Sequence, residues 1–259
     1  MARLQWACLA ISLVAAQPAA AVPPFSGTIF IDPDIITAAD PTTYLTMSFA
    51  GQGTRLMFDR RIGAFANYNA YLFNAQYSDG LTIEIQVNPE FGSSAAAQTQ
   101  AQFYAPVIGR LPKALRVNVQ TVWLHQGSQP FGGGNNNLLI HTGSIALSYV
   151  SDGILEEVFV HEAAHTSLDA THAAAAGWLA AQNADAEFIS TYARDNPSSE
   201  DIAESFLPWL AVRHRSARIS AQLANTIRVT IPNRLAYFDG LTLDLAPVIR
   251  GQLMASGFE

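Results

Sequence analysis

The sequence predicts an α+β fold, in which a small mixed sheet with a backing helix precedes a mainly helical C-terminal part. Three observations favour this class. Residues 81–87 alternate β-forming and polar side chains with a period of two. Residues 93–108 are rich in alanine and glutamine, and most of the chain after residue 151 has helical patterns. Because 49% of the residues are hydrophobic and only 14% are charged, the chain can bury a core of this kind.

The N-terminal part, residues 22–80, is β-rich and of uncertain role. Residues 28–31 are β-forming and predict a first strand. A turn at residues 78–80 (Ser-Asp-Gly) precedes the strand at 81–87, which Asn88-Pro89 ends. We leave open whether residues 22–80 belong to the domain or form a removable pro-segment.

The middle of the chain alternates helix and strand. Residues 93–108 predict a helix that Gly109 stops. Residues 116–124 predict a strand, residues 131–137 (Phe-Gly-Gly-Gly-Asn-Asn-Asn) a loop, and residues 138–141 a short strand.

A further helix begins near Ser151-Asp152 and carries the motif His161-Glu162-Ala163-Ala164-His165. Side chains four positions apart lie on one helix face, about 6 Å apart along the axis, so both imidazoles can bind one ion. Glu162 is rotated away from His161 by one position, which suits a base that takes a proton from an activated water. The motif therefore predicts a Zn²⁺ site with His161 and His165 as ligands and Glu162 as the general base.

Two ligands hold zinc poorly, and three candidates compete for the third position. His172 lies on the same helix face but about 10 Å further along, so it reaches the ion only if the chain folds back. Asp169 is poorly placed for direct ligation and better placed as a cap or as a partner of a ligand. The third candidate is a separate helix opening at residues 197–206, on which Glu200 and Glu204 share a face.

The HExxH motif and the later acidic helix together resemble the zincins, specifically gluzincin-like peptidases with the lethal-factor type of catalytic domain. The resemblance covers residues 151–212. It implies Glu200 as third ligand, Glu204 as the acid that orients a metal-bound histidine, and Tyr192 as a hydrogen-bond donor to the reaction intermediate. It also implies a zincin-like fold, with an active-site helix and an edge strand beside the cleft.

We expect residues 138–141 to be that edge strand, with the glycine-asparagine loop at the cleft rim. Two departures from the family pattern concern the second helix. Glu200 follows His165 by 35 residues, and Glu204 replaces the usual aspartate. Pro208 lies within this helix, and because proline lacks an N–H we expect a kink or an early end there.

Residues 1–21 have the features of a signal peptide: Arg3, an apolar run at 9–16, and small residues at 19–21. We therefore expect an exported protein, secreted or periplasmic, with residues 22–259 as a single domain and no stable membrane insertion after cleavage. The only cysteine, Cys8, lies in this segment, which excludes thiolate ligands from the mature chain. The net charge of −7 argues against nucleic-acid binding, and we expect a monomer.

Two other groups of side chains bear on the site. His125 and His141 either line the cleft or are structural, and a strand histidine is more often structural. Asp59-Arg60-Arg61 is interpreted as a surface or interdomain ion-pair group.

The sequence thus predicts an exported zinc-dependent endopeptidase that acts on a protein or peptide substrate. The alternative from another class is a non-catalytic, zinc-stabilised exported binding domain, whose metal site would be closed by a fourth protein ligand. A metallohydrolase with a non-peptide substrate also stays open.

Overall fold

The computed structural model describes residues 22–29 and 34–249, so the signal peptide predicted at 1–21 lies outside the described residues. The described residues form an α+β structure with a six-stranded mixed sheet, which confirms the predicted class. The strands are β1 (Tyr44–Asp59), β2 (Ala64–Tyr77), β3 (Thr82–Val87), β4 (Thr121–His125), β5 (Gly132–Gly134) and β6 (Asn137–His141). The helices are α1 (Ser94–Ile108), α2 (Lys113–Arg116), α3 (Ser144–Ser151), α4 (Leu155–Ser167), α5 (Asp169–His172), α6 (Ala176–Ala184), α7 (Thr191–Asp195), α8 (Asp201–His214), α9 (Ala221–Thr230) and α10 (Pro232–Asp239). None of the described helices is long and apolar enough to cross a membrane.

The strand order is β1-β2-β3-β4-β6-β5. β4 pairs in parallel with both β3 and β6, and the remaining pairs are antiparallel. The prediction for the edge strand was wrong. β6 is internal, because the stretch predicted as a loop contributes three glycines, Gly132–Gly134, that pair with β6 and form the edge.

The two faces of the sheet have different coverings. Ile85, Val122 and Leu138 lie in register on one face and belong to the main core, which α1 and α4 complete. Trp123 and Leu139 lie in register on the opposite face. The alternation follows from the pleat, which sends successive side chains to opposite sides.

The hairpin of β1 and β2 covers part of this second face. Sequence patterns indicated strands in this region but not two strands of 16 and 14 residues. Near its turn, Phe65 packs against Trp123 with ring centroids 5.9 Å apart, and Arg60 donates a hydrogen bond to the carbonyl of Phe131 (2.9 Å). Since β2 also pairs with β3, the N-terminal part is built into the sheet.

The remaining predictions have mixed outcomes. Residues 93–108 form α1 as predicted, with Ser93 capping the helix, and the C-terminal part is mainly helical. The strand predicted at 28–31 is wrong for Thr28 and Ile29, which are not in a strand, while residues 30 and 31 lie outside the described residues. Residues 116–124 begin with the end of α2, and β4 starts only at Thr121.

Pro208 does not end α8, which continues to His214. Because Pro208 has no N–H, the carbonyl of Glu204 lacks the hydrogen bond that a helix normally provides four residues on. This carbonyl lies in the first turn of α8. The apolar side chains of Phe206, Leu207 and Leu210 are buried in the main core, and this burial stabilises the helix beyond the proline.

Candidate metal centre

Three side chains converge between α4 and α8. His161 and His165 project from one face of α4, and Glu200 occupies the N-cap position just before α8. The two Nε2 atoms are 3.1 Å apart, and Glu200 Oε2 lies 3.5 Å from His161 Nε2 and 3.2 Å from His165 Nε2. The two helices pack directly against each other, and this packing brings a residue 35 positions away to the histidine pair.

The three donor atoms match the geometry that zinc requires. Ligands placed tetrahedrally about 2.05 Å from an ion lie about 3.3 Å from one another. The observed separations, 3.1–3.5 Å, bracket that value. Two imidazoles and one carboxylate also form a donor set that zinc accepts, so these residues fit the ion.

The pKa values of this cluster indicate that the site favours a positive charge. Burial alone would lower the pKa of His165, but hydrogen bonds to Asp169 and Glu200 outweigh it and raise that pKa to about 10. Burial would raise the pKa of Glu200, but hydrogen bonds to His161 and His165 hold it well below the usual range. A cation shared by these side chains can supply the charge that protons supply here.

Two further acids contact the outer nitrogens of the histidines. Asp169 Oδ2 lies 2.7 Å from His165 Nδ1, in the supporting role that the sequence favoured over direct ligation. Glu204 Oε1 lies 3.5 Å from His161 Nδ1. Such carboxylates orient imidazole ligands and increase their basicity.

Glu204 is itself held in place from two directions. Its Oε2 accepts hydrogen bonds from the Ser190 hydroxyl (2.6 Å) and from the backbone N–H of Ile29 (3.1 Å). Burial raises the pKa of this carboxyl despite the nearby His161. The N-terminal segment, whose residue Phe25 forms a β-bridge with Ser190, therefore helps to position the acid beside His161.

The other predicted site residues divide into two groups. Glu162 and Tyr192 line the same cleft as the three candidate ligands. Burial and the carboxylate of Glu200, which the phenol contacts, raise the pKa of Tyr192 to about 12, so the phenol keeps its proton at neutral pH. His172, the alternative third ligand, does not belong to the group, because its Nδ1 lies 2.7 Å from the hydroxyl of Tyr237.

The cleft has a volume of about 870 Å³. One wall is α4, and β5 with Asn135 and Asn136 of the β5–β6 turn lines the cleft beside it, so the predicted glycine-asparagine rim does lie at the cleft. Sequence reasoning missed several other lining residues, Tyr149 and Arg60 among them. Tyr149 lies on α3, a helix that was not predicted, and Arg60 comes from the hairpin turn. No local pattern identifies them, because both arrive through long-range packing.

Gly133 brings β5 into backbone contact with α4. A Cβ atom at this position would lie 1.8 Å from the carbonyl oxygen of Glu162, so only glycine fits. The side chain of Thr166 joins the same elements, accepting from the N–H of Gly134 (2.9 Å) and donating to the carbonyl of Asn137 (2.8 Å). The edge strand β5 is thus held against the backbone of Glu162, the residue that follows His161.

His125 and His141 do not line this cleft, which favours their structural interpretation. Their rings are buried and stacked, with centroids 5.3 Å apart. Asn88 contacts Nδ1 of His125 (2.9 Å), and Asp59 Oδ2 lies 3.8 Å from the same atom. Burial is the largest effect on His125 and lowers its pKa to about 4. Asp59 also pairs with Arg61, as the ion-pair interpretation expected, but its carboxylate is buried and not at the surface.

Comparisons of the chain with protein-family models, with curated proteins and with solved structures found no match.

Proposed function

We propose that this chain is an exported zinc-dependent endopeptidase with a zincin-like fold. The observation that carries the proposal is the convergence of His161, His165 and Glu200 to within 3.1–3.5 Å of one another, in a cleft that Glu162 also lines. Export is inferred from the signal-peptide features of residues 1–21.

His161, His165 and Glu200 would hold the zinc ion, which would supply an activated water and a Lewis acid for a carbonyl oxygen. Glu162 acts as the general base, taking the proton from the attacking water and passing it to the leaving amine. Tyr192 keeps its phenolic proton and donates a hydrogen bond to the oxygen on which negative charge develops. Glu204 and Asp169 orient the two imidazoles.

The openness of the site supports catalysis over the alternative, a zinc-stabilised binding domain. A structural zinc site is normally closed by four protein ligands. Among the described residues, the ligand group at this site has three members, and it faces a cleft of about 870 Å³. That volume accommodates several residues of an extended peptide, which supports a peptide or protein substrate.

The first experiment identifies the ligands. Zinc content is measured by mass spectrometry on the purified wild-type protein, Glu200→Ala and His172→Ala. We expect one zinc per chain in the wild type and in His172→Ala, and loss of zinc in Glu200→Ala. Zinc lost only in His172→Ala would overturn the proposed ligand set.

The second experiment tests the chemistry. A peptide pool is incubated with the wild type and with Glu162→Gln, and cleavage products are identified by mass spectrometry. Because Gln is isosteric with Glu but cannot accept a proton, we expect Glu162→Gln to keep its zinc and to lose at least about a thousandfold in kcat/KM. Zinc binding without cleavage of any peptide by the wild type would favour the binding-domain alternative.

A further inference from the structure

A second pocket lies beside the metal cleft, on the other side of the edge strand β5. Its volume is about 240 Å³. The two pockets share one boundary, made of Gly132–Gly134, Arg60 and Asn135. The rest of the second pocket is mainly apolar, with walls formed by Phe58, Phe65, Trp123 and Leu139.

The walls of this aromatic pocket are held in fixed positions. Phe65 packs edge-on against Trp123 (5.9 Å, 88°) and also contacts Phe58 (5.2 Å). The indole N–H of Trp123 donates to Gln86 Oε1 (2.9 Å), which fixes the plane of the ring. Phe65 is nevertheless 54% exposed, so an apolar side chain that enters the pocket would remove further ring surface from water.

Successive residues of β5 face opposite sides of the strand. A Cβ at Gly132 would point at Arg60 Nη2 (2.6 Å) and Leu139, on the side of the aromatic pocket. A Cβ at Gly133 would point the other way, at the backbone of Glu162 on α4, the helix that forms one wall of the metal cleft. Neighbouring residues of any extended chain also alternate sides, with a rise of about 3.3 Å per residue. A peptide that crosses this strand can therefore place one residue in the cleft and an adjacent side chain in the aromatic pocket.

We propose that the aromatic pocket is a specificity subsite that binds a large apolar side chain, such as Leu or Phe, of the peptide substrate. The inference rests on the proposed peptidase function. It gives the β1–β2 hairpin a role, because Phe58, Arg60 and Phe65 all come from the turn end of that hairpin. The occupant follows from the lining, which is mainly apolar rings. A charged side chain that entered the pocket would lose hydrating water against those rings.

The kinetic test uses paired peptides. Cleavage-site profiling of the wild type should show Leu or Phe enriched at one position within two residues of the scissile bond. Two peptides are then compared, one with Leu and one with Ala at that position. Phe65→Ala should lower kcat/KM for the Leu peptide about ten- to hundredfold, mainly through KM, and change the value for the Ala peptide less than about twofold.

Phe49→Ala is the matched control. Phe49 lies on the same hairpin, is 49% exposed, packs against Phe73 and lines neither pocket, so its removal should leave both peptides unaffected. Hydrolysis with no apolar preference at any position, or equal losses in the two variants, would overturn the subsite while leaving the peptidase proposal intact.

A binding measurement separates failure of the subsite from failure of the catalytic proposal. Fluorescence anisotropy measures the Kd of the labelled Leu and Ala peptides for Glu162→Gln, with and without Phe65→Ala. Tighter binding of the Leu peptide that Phe65→Ala abolishes would support the subsite, even if the wild type cleaves nothing. Equal binding of both peptides by Glu162→Gln would overturn it.

Discussion

Replacement of Gly133 by alanine tests the contact on which the geometry of the site depends. The added Cβ would lie 1.8 Å from the oxygen and 2.5 Å from the carbon of the Glu162 carbonyl. Both are backbone atoms, so no rotamer change relieves the overlap. β5 and α4 would have to separate by about 1.2 Å to restore a 3.0 Å contact.

We expect this separation to affect both stability and catalysis. Overpacking of this kind costs about 3 kcal/mol in the free energy of unfolding. Displacement of Glu162 and the cleft rim by about 1 Å lowers kcat/KM about a hundredfold in protein that still folds. Urea unfolding followed by circular dichroism measures the first effect, and peptide hydrolysis measures the second.

Gly53→Ala provides the control. Gly53 is also a strand glycine, and like Gly133 it does not have a positive φ, so its backbone conformation accepts alanine. Its added Cβ would meet side-chain atoms of Arg55 and Leu72 at 3.3 Å, and both side chains can move. We expect Gly53→Ala to change the free energy of unfolding by less than about 1 kcal/mol. If Gly133→Ala were as stable and as active as Gly53→Ala, the proposed fit of β5 on α4 would be refuted.

Three further predictions concern buried ionisable groups. Glu204→Gln should weaken zinc binding about ten- to hundredfold in a chelator competition, because the amide no longer orients His161 as a carboxylate does; unchanged affinity would exclude that role. Glu157 is fully buried, and burial raises the pKa of its carboxyl from 4.5 to about 8. The protonated carboxyl therefore contributes stability that is fully present below pH 4.5 and is lost as the pH rises through 8. Urea unfolding of Glu157→Gln should lack this decline, which reaches at most about 1.4 kcal/mol per pH unit. The pH dependence due to His125 has the opposite sign, because burial lowers its pKa from 6.5 to about 4. The neutral imidazole contributes stability that is fully present above pH 6.5 and is lost as the pH falls towards 4. In His125→Gln, the free energy of unfolding should therefore fall less steeply over this acidic range.

The sequence by itself determined the parts of the site that depend on local geometry. A helix places residues four apart on one face, so the pairing of His161 with His165 followed from spacing alone. The strand at 81–87 and helix α1 were also predictable, because side-chain alternation and the serine cap are local signals.

Only the tertiary structure decided which distant residues complete the site. Glu200 meets the histidines because α8 packs against α4, whereas His172, much nearer in sequence, turns towards Tyr237. Strand order likewise made Gly132–Gly134 the sheet edge and left residues 138–141 inside. Hydrogen bonds within a helix join residues four apart, so the chain's local pattern encodes them. The pairing of strands and the packing of helices join residues tens of positions apart, and they depend on the free energy of the whole core.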